Sequence, residues 1–84
     1  MKKRKLLEKA LSSTGNLRFS DALVLAQAFG FRLARTSGSH HILTHDDIPE
    51  LLNLQEVGGK AKAYQVRQLL TLVERYNLEL EESQ

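Results

Sequence analysis

The sequence predicts an α+β domain in which helices cover one face of a small antiparallel sheet. Three observations carry that expectation. The first and last segments space their apolar residues at helical intervals. The stretch from Phe31 to Val57 changes to a period of two. Small turn residues punctuate the joins. At 84 residues and 42% hydrophobic composition, the chain fits a single domain, 1–84, with one modest core.

The elements follow in order. Leu6, Leu7, Ala10 and Leu11 share one side of a short helix over 2–12, which the run Ser12-Ser13-Thr14-Gly15-Asn16 ends. Ser20 caps a second helix by accepting an orphan backbone N–H, and Asp21 in its first turn suits the helix dipole. Gly30 stands where a left-handed C-terminal cap belongs. Phe31 to Thr36 alternates as a first strand, Ser37-Gly38 turns the chain, and Ser39 to Thr44 returns as a second. Asp46 to Pro49 breaks that strand, Leu51 to Val57 makes a third, and Gly58-Gly59 closes it. Val66, Leu69, Leu70, Val73 and Tyr76 then form the stripe of a last helix packed on the sheet. The predicted order is α-α-β-β-β-α. One face of the sheet is left open to water, and residues 79–84 make a frayed acidic tail.

Charge is unevenly distributed. Residues 1–36 hold eight Lys and Arg against Glu8 and Asp21, a net of +6, whereas the remainder carries −4. A basic half suits a polyanion, although solvated lysines on a helix face give the same count. The absence of cysteine excludes disulfides and thiolate metal sites. No apolar run approaches the roughly 18 residues of a membrane span. Polar residues interrupt any apolar region after Lys2-Lys3-Arg4-Lys5, so a cytoplasmic protein with no membrane partner is expected.

All three histidines fall within Ser37-Gly38-Ser39-His40-His41-Ile42-Leu43-Thr44-His45. Alternation puts His40, Ile42 and Thr44 on one face, and His41, Leu43 and His45 on the other. With Leu43 facing the helices, His40 points to the open face and His41 packs at the core edge. His45, beside Asp46 and Asp47, reads as a turn histidine. A zinc pair of His41 and His45 fails on distance, since residues four apart on a strand lie ~13 Å apart. No metal and no cofactor are therefore expected. By parity Arg32 faces outward, while Arg35 turns the other way or sits at the hairpin tip, its stem lying along apolar surface.

Gly38-Ser39-His40-His41 after the Gly30-Phe31 strand, together with "SDALVLAQAFGF", "LLNLQ", "GGKAKAYQVRQLL" and "VERYNL", resembles the HicA toxins over Phe19 to Leu78. That family comprises small ribonucleases of type II toxin–antitoxin systems with a fold like the double-stranded RNA-binding domain. Ala63 stands where relatives of this subgroup often carry proline, and the basic helix 2–12 lies outside the minimal family core. The resemblance implies metal-independent cleavage of mRNA by a single histidine. It assigns that role to His40, with His41 the runner-up because the doubled histidine leaves the register ambiguous. A HicB-type antitoxin is the implied protein partner, and no direct DNA contact is implied.

The chemistry needs little more. RNA supplies its own nucleophile in the 2′-hydroxyl, and imidazole titrates near neutrality. Lys60, Lys62 and the N-terminus of the last helix offer positive charge to phosphate. Arg32 neighbours the histidine strand, Ser39 begins it, and Tyr64 offers a ring to a base or closes the core. The alternative is a non-catalytic RNA-binding module of the same fold, and a third reading is a surface that binds only protein.

Overall fold

A computed structural model describes residues 2–81. Three helices and a four-stranded antiparallel sheet make an α+β domain. The elements run α1 (Lys2–Ser12), a 3₁₀ turn (Thr14–Asn16), α2 (Phe19–Ala28), β1 (Arg32–Ser37), β2 (His40–His45), β3 (Ile48–Val57), β4 (Lys60–Ala61) and α3 (Ala63–Arg75). Strand order is β1-β2-β3-β4. The fourth strand corrects the predicted three. Gly58 and Gly59 take φ of 60° and 82°. Two positive-φ residues in a two-residue loop are what a type I′ hairpin demands, so the chain folds straight back to pair Val57 with Lys60 and Glu56 with Ala61.

Small polar side chains end α1. Ser12 Oγ donates to the Glu8 carbonyl at 2.9 Å and Thr14 Oγ1 to the Ala10 carbonyl at 3.1 Å. The expected cap of α2 moves: Arg18 is the N-cap and Ser20 lies inside the first turn. Phe19 N–H instead donates to the Gly59 carbonyl at 2.9 Å, which ties the helix start to the β3–β4 hairpin. At the other end Gly30 has φ of 99°, Gly30 N–H bonds the Gln27 carbonyl and Phe31 N–H bonds the Ala26 carbonyl. That pair of bonds is a Schellman closure. Asn77, with φ of 54°, closes α3 in the same way through Asn77 to Glu74 and Leu78 to Val73.

The core lies between the helices and the inner face of the sheet. Leu17, Leu25, Phe31, Leu43, Leu52, Leu54, Val66 and Leu69 are its largest fully buried apolar members. Full burial of one such side chain stabilises the fold by roughly 1.5–3 kcal/mol. Leu11 and Leu33 lie outside this core. Leu11 is exposed on α1, and Leu33 is 46% exposed on the edge strand β1. Strand β3 begins at Ile48, three residues earlier than expected, and carries Pro49 in a bulge between the His45–Ile48 and Leu43–Leu52 pairs. Proline fits there because β4 pairs only with Glu56 and Val57, so no neighbour on that side needs its missing N–H.

Residues of the expected tail as far as Glu81 are described. Leu78 and Leu80 pack against the core, and Glu81 N–H donates to the Ala28 carbonyl at 2.7 Å. Residues 82–84 lie outside the described residues. Among the described residues, no helix is long and apolar enough to cross a membrane.

Candidate functional site

The site is the outer face of the sheet around the β1–β2 turn. That turn is Gly38-Ser39, one residue later than the sequence spacing indicates, so Ser39 belongs to the turn and His40 opens β2. Pairing fixes which side chains share a face. His40 is opposite Ser37 on β1 and Gln55 on β3, while Ile42 is opposite Arg35 and Asn53. Leu43, His41 and their partners Leu52 and Leu54 face the helices. His40, Ile42, Ser37, Arg35, Asn53 and Gln55 therefore stand together on the side no helix covers.

The two adjacent histidines live in different surroundings. His40 Nδ1 lies 3.4 Å from Asn53 Oδ1. With Asn53 as acceptor, Nδ1 carries the proton and Nε2 keeps a lone pair, and Nε2 has no partner among the described residues. His41 turns inward, its ring tilted 60° against Phe19 at 4.7 Å, with Nδ1 3.3 Å from the Ser39 carbonyl. His45 is fully engaged. Its Nε2 lies 3.1 Å from the Phe29 carbonyl, its Nδ1 accepts from Asp47 N–H at 3.0 Å, and its ring meets Phe31 edge-on at 5.2 Å. A carbonyl can only accept, so His45 carries its proton on Nε2.

A chain of hydrogen bonds links this face to the start of α3. Gln55 Nε2 donates to Ser39 Oγ at 3.3 Å, and Glu56 N–H donates to the Ser39 carbonyl at 3.1 Å. Gln55 N–H in turn donates to Gln65 Oε1 at 2.6 Å, and Gln65 Nε2 donates to Tyr64 Oη at 3.3 Å. Tyr64 is 57% exposed, with Lys62 Nζ 5.9 Å from its ring centroid. Lys62 is the N-cap of α3 and Tyr64 stands in its first turn, so both join the His40 face only through this Gln55–Gln65 link.

The remaining basic residues divide differently from the sequence expectation. Lys60 Nζ donates to Asn16 Oδ1 at 3.0 Å. Arg32 is outward, as expected, and its Nη2 pairs with Asp46 at 2.5 Å. Arg35 corrects the reading by parity. β1 gains a residue between Leu33 and Arg35, so Leu33 pairs with Leu43 but Arg35 pairs with Ile42. This bulge at Ala34 resets the alternation and places Arg35 on the same face as Arg32 and His40. No residue type in "RLAR" announces a bulge, so alternation alone could not find it. Asn53 and Gln55, by contrast, were legible in "LLNLQ", where they alternate with core leucines.

Among the described residues, no group of three or more His, Asp or Glu is placed to hold a metal ion, and no buried side-chain nitrogen or oxygen lacks a partner. A groove of about 530 Å³, lined by Leu7, Leu11, Leu70 and Leu80 among others, lies on the helix side, away from His40. No protein-family model, curated protein or solved structure matches the chain.

Proposed function

We propose that this chain is a metal-independent endoribonuclease of the HicA type, acting on mRNA through His40 and held inactive by a HicB-type antitoxin. The observation that carries this reading is the position of His40: on the outer sheet face, with Nδ1 3.4 Å from Asn53 Oδ1 and Nε2 without a partner among the described residues. The order α2-β1-β2-β3-α3 supports a double-stranded-RNA-binding-like fold, to which α1 and the short β4 are additions.

In this reading His40 Nε2 takes the proton of the ribose 2′-hydroxyl. The 2′-oxygen attacks the adjacent phosphorus, the bond to the 5′-oxygen breaks, and the imidazolium returns its proton to that leaving oxygen. The products end in a 2′,3′-cyclic phosphate and a 5′-hydroxyl. A single positioned acid–base group contributes about 10²–10⁴-fold, so a modest turnover is expected. In this reading Lys62 and Tyr64, paired at the start of α3, would hold the flanking strand by charge and stacking.

The test is incubation of the purified protein with mRNA in EDTA. Cyclic-phosphate ends from wild type, and none from His40→Ala of unchanged fold, are expected. Intact RNA with folded wild type would refute the reading. Salt-dependent binding without cleavage would replace it with the non-catalytic RNA-binding module. Growth arrest on expression, relieved by His40→Ala, is the cellular counterpart.

A further inference from the structure

We infer that Arg35 is the phosphate-binding side chain of the His40 face and that its ligand is a phosphodiester of single-stranded RNA. The inference rests on the ribonuclease reading for where the RNA lies. It rests on the bulge at Ala34 for the side chain that meets it.

Three observations single out Arg35. First, the register places it diagonally from His40: Arg35 is opposite Ile42, and His40 is two residues before Ile42 on the same strand. Diagonal neighbours on one sheet face lie about 7–8 Å apart, within the reach of a long side chain. Second, Arg35 is exposed and makes no ion pair or hydrogen bond among the described residues. Two other basic residues are committed, Arg32 to Asp46 and Lys60 to Asn16, and Lys62 stands at the start of α3 against Tyr64. Third, its cross-strand partner Ile42 and the outward residues Ser37, Asn53 and Gln55 around it bear no carboxylate, so an anion meets no repulsion there. A guanidinium offers phosphate a planar pair of donors, which an ammonium does not.

Single-stranded RNA fits better than duplex. The 2′-oxygen must swing opposite the leaving 5′-oxygen, a motion that a stacked A-form strand resists. The open face is also a flat sheet surface, on which a strand can lie with a phosphate against Arg35 and the preceding ribose against His40.

The experiment measures binding of a short labelled single-stranded RNA to the His40→Ala protein, in which cleavage is removed, across a salt series. Adding Arg35→Ala should weaken binding about tenfold, as expected for losing a charge-assisted hydrogen bond. It should also reduce the slope of log K against log salt by about 0.7, the share of one phosphate on a single strand. Arg35→Lys should recover part of the affinity and all of the slope. Arg67→Ala on α3, which removes an equal charge from the helix layer, should change neither. In the His40 protein, Arg35→Ala should lower kcat/KM at least as far as it weakens binding, because a guanidinium on the scissile phosphate also meets the charge that grows in the transition state. An unchanged affinity and slope for Arg35→Ala, with circular dichroism intact, would overturn the inference and leave the ribonuclease reading standing. Loss of affinity in a wild type that never cleaves would support Arg35 while removing the ribonuclease reading. A wild type that neither binds nor cleaves RNA overturns both.

Discussion

A Cβ on Gly30 would stand 2.7 Å from Nε2 of His45. The imidazole occupies the room that the missing side chain leaves, and from there it reaches the Phe29 carbonyl and the edge of Phe31. Its other nitrogen receives Asp47 N–H, so one ring clasps the α2–β1 junction to the β2–β3 turn. Gly30→Ala should therefore cost about 2–3 kcal/mol. A left-handed backbone costs an L-residue roughly 1–2 kcal/mol, and displacing His45 forfeits hydrogen bonding worth about 1 kcal/mol. Urea unfolding checks this, and a midpoint equal to wild type would show that the clasp is unimportant.

Substitution should separate the three histidines by what is lost. His40→Ala should lower cleavage by at least about 10²-fold while leaving the unfolding midpoint near wild type, since its one hydrogen bond is a long, only partly buried contact. His41→Ala should lose the ring contact with Phe19, a matter of about 0.5–1.5 kcal/mol, with cleavage reduced only as far as the turn loosens. His45→Ala should cost about 2 kcal/mol because both ring nitrogens and a ring contact go at once. Paired measurements of cleavage rate and urea midpoint for each variant decide the matter. A His41→Ala protein that is stable but inactive would move the catalytic role to His41.

A prediction in pH rests on Glu50, on β3 two residues past the cross-strand partner of His45. Its Oε1 accepts from the Tyr76 hydroxyl at 2.6 Å and its Oε2 from Arg75 Nη1 at 2.8 Å. The tyrosine bond first, then Glu50's own backbone N–H and Arg75, hold the carboxyl below its ordinary range against partial desolvation. The same bond to Glu50, with desolvation and the carboxylate charge behind it, raises the Tyr76 hydroxyl above its ordinary value. For Glu50, whose folded value is depressed, the contribution is present above the free-glutamate range and is lost as pH falls through the folded value. For Tyr76, whose folded value is raised, it is present below the free-tyrosine range and is lost as pH climbs through the folded value. Tyr76→Phe should flatten both limbs of a plot of urea midpoint against pH. Parallel curves for the two proteins would detach this pair from the pH dependence.

What the sequence made legible, and what it hid, follows from the range of each interaction. Helix extents, the Gly30 cap and the faces of β2 depend on residues a few positions apart, and periodicity reads them directly. The inward stripe of α3 was legible for the same reason, with Val66 and Leu69 fully buried. Arg35 was not, because a bulge is set by pairing with a strand across the hairpin and leaves no local mark in "RLAR". β4 escaped because two residues are too few to show alternation, and Gly58-Gly59 reads equally as a hinge. In the candidate site, outward His40 was visible from spacing, whereas its partner Asn53 and the commitments of Arg32 and Lys60 are long-range contacts.

Gln65 is the other residue that only the tertiary structure explains. It is 1% exposed, a polar side chain inside an apolar layer, and it replaces part of a strand. β4 pairs with Glu56 and Val57 and then stops, which leaves Gln55 N–H pointing at that edge with no backbone acceptor. Gln65 Oε1 fills the gap at 2.6 Å, so the first turn of α3 is joined to the sheet beside His40. Gln65→Leu keeps the volume and removes the acceptor. It should cost about 1–3 kcal/mol, the range for leaving a buried donor unpaired. The amide of Gln55 should also exchange with solvent deuterium much faster than its neighbours in β3, because only that N–H loses its partner. Stability alone could fall through imperfect packing of leucine, so the residue-resolved exchange rate is the decisive reading. A Gln55 amide as protected in Gln65→Leu as in wild type would mean that another acceptor serves it and that α3 is held to the sheet by its apolar stripe alone.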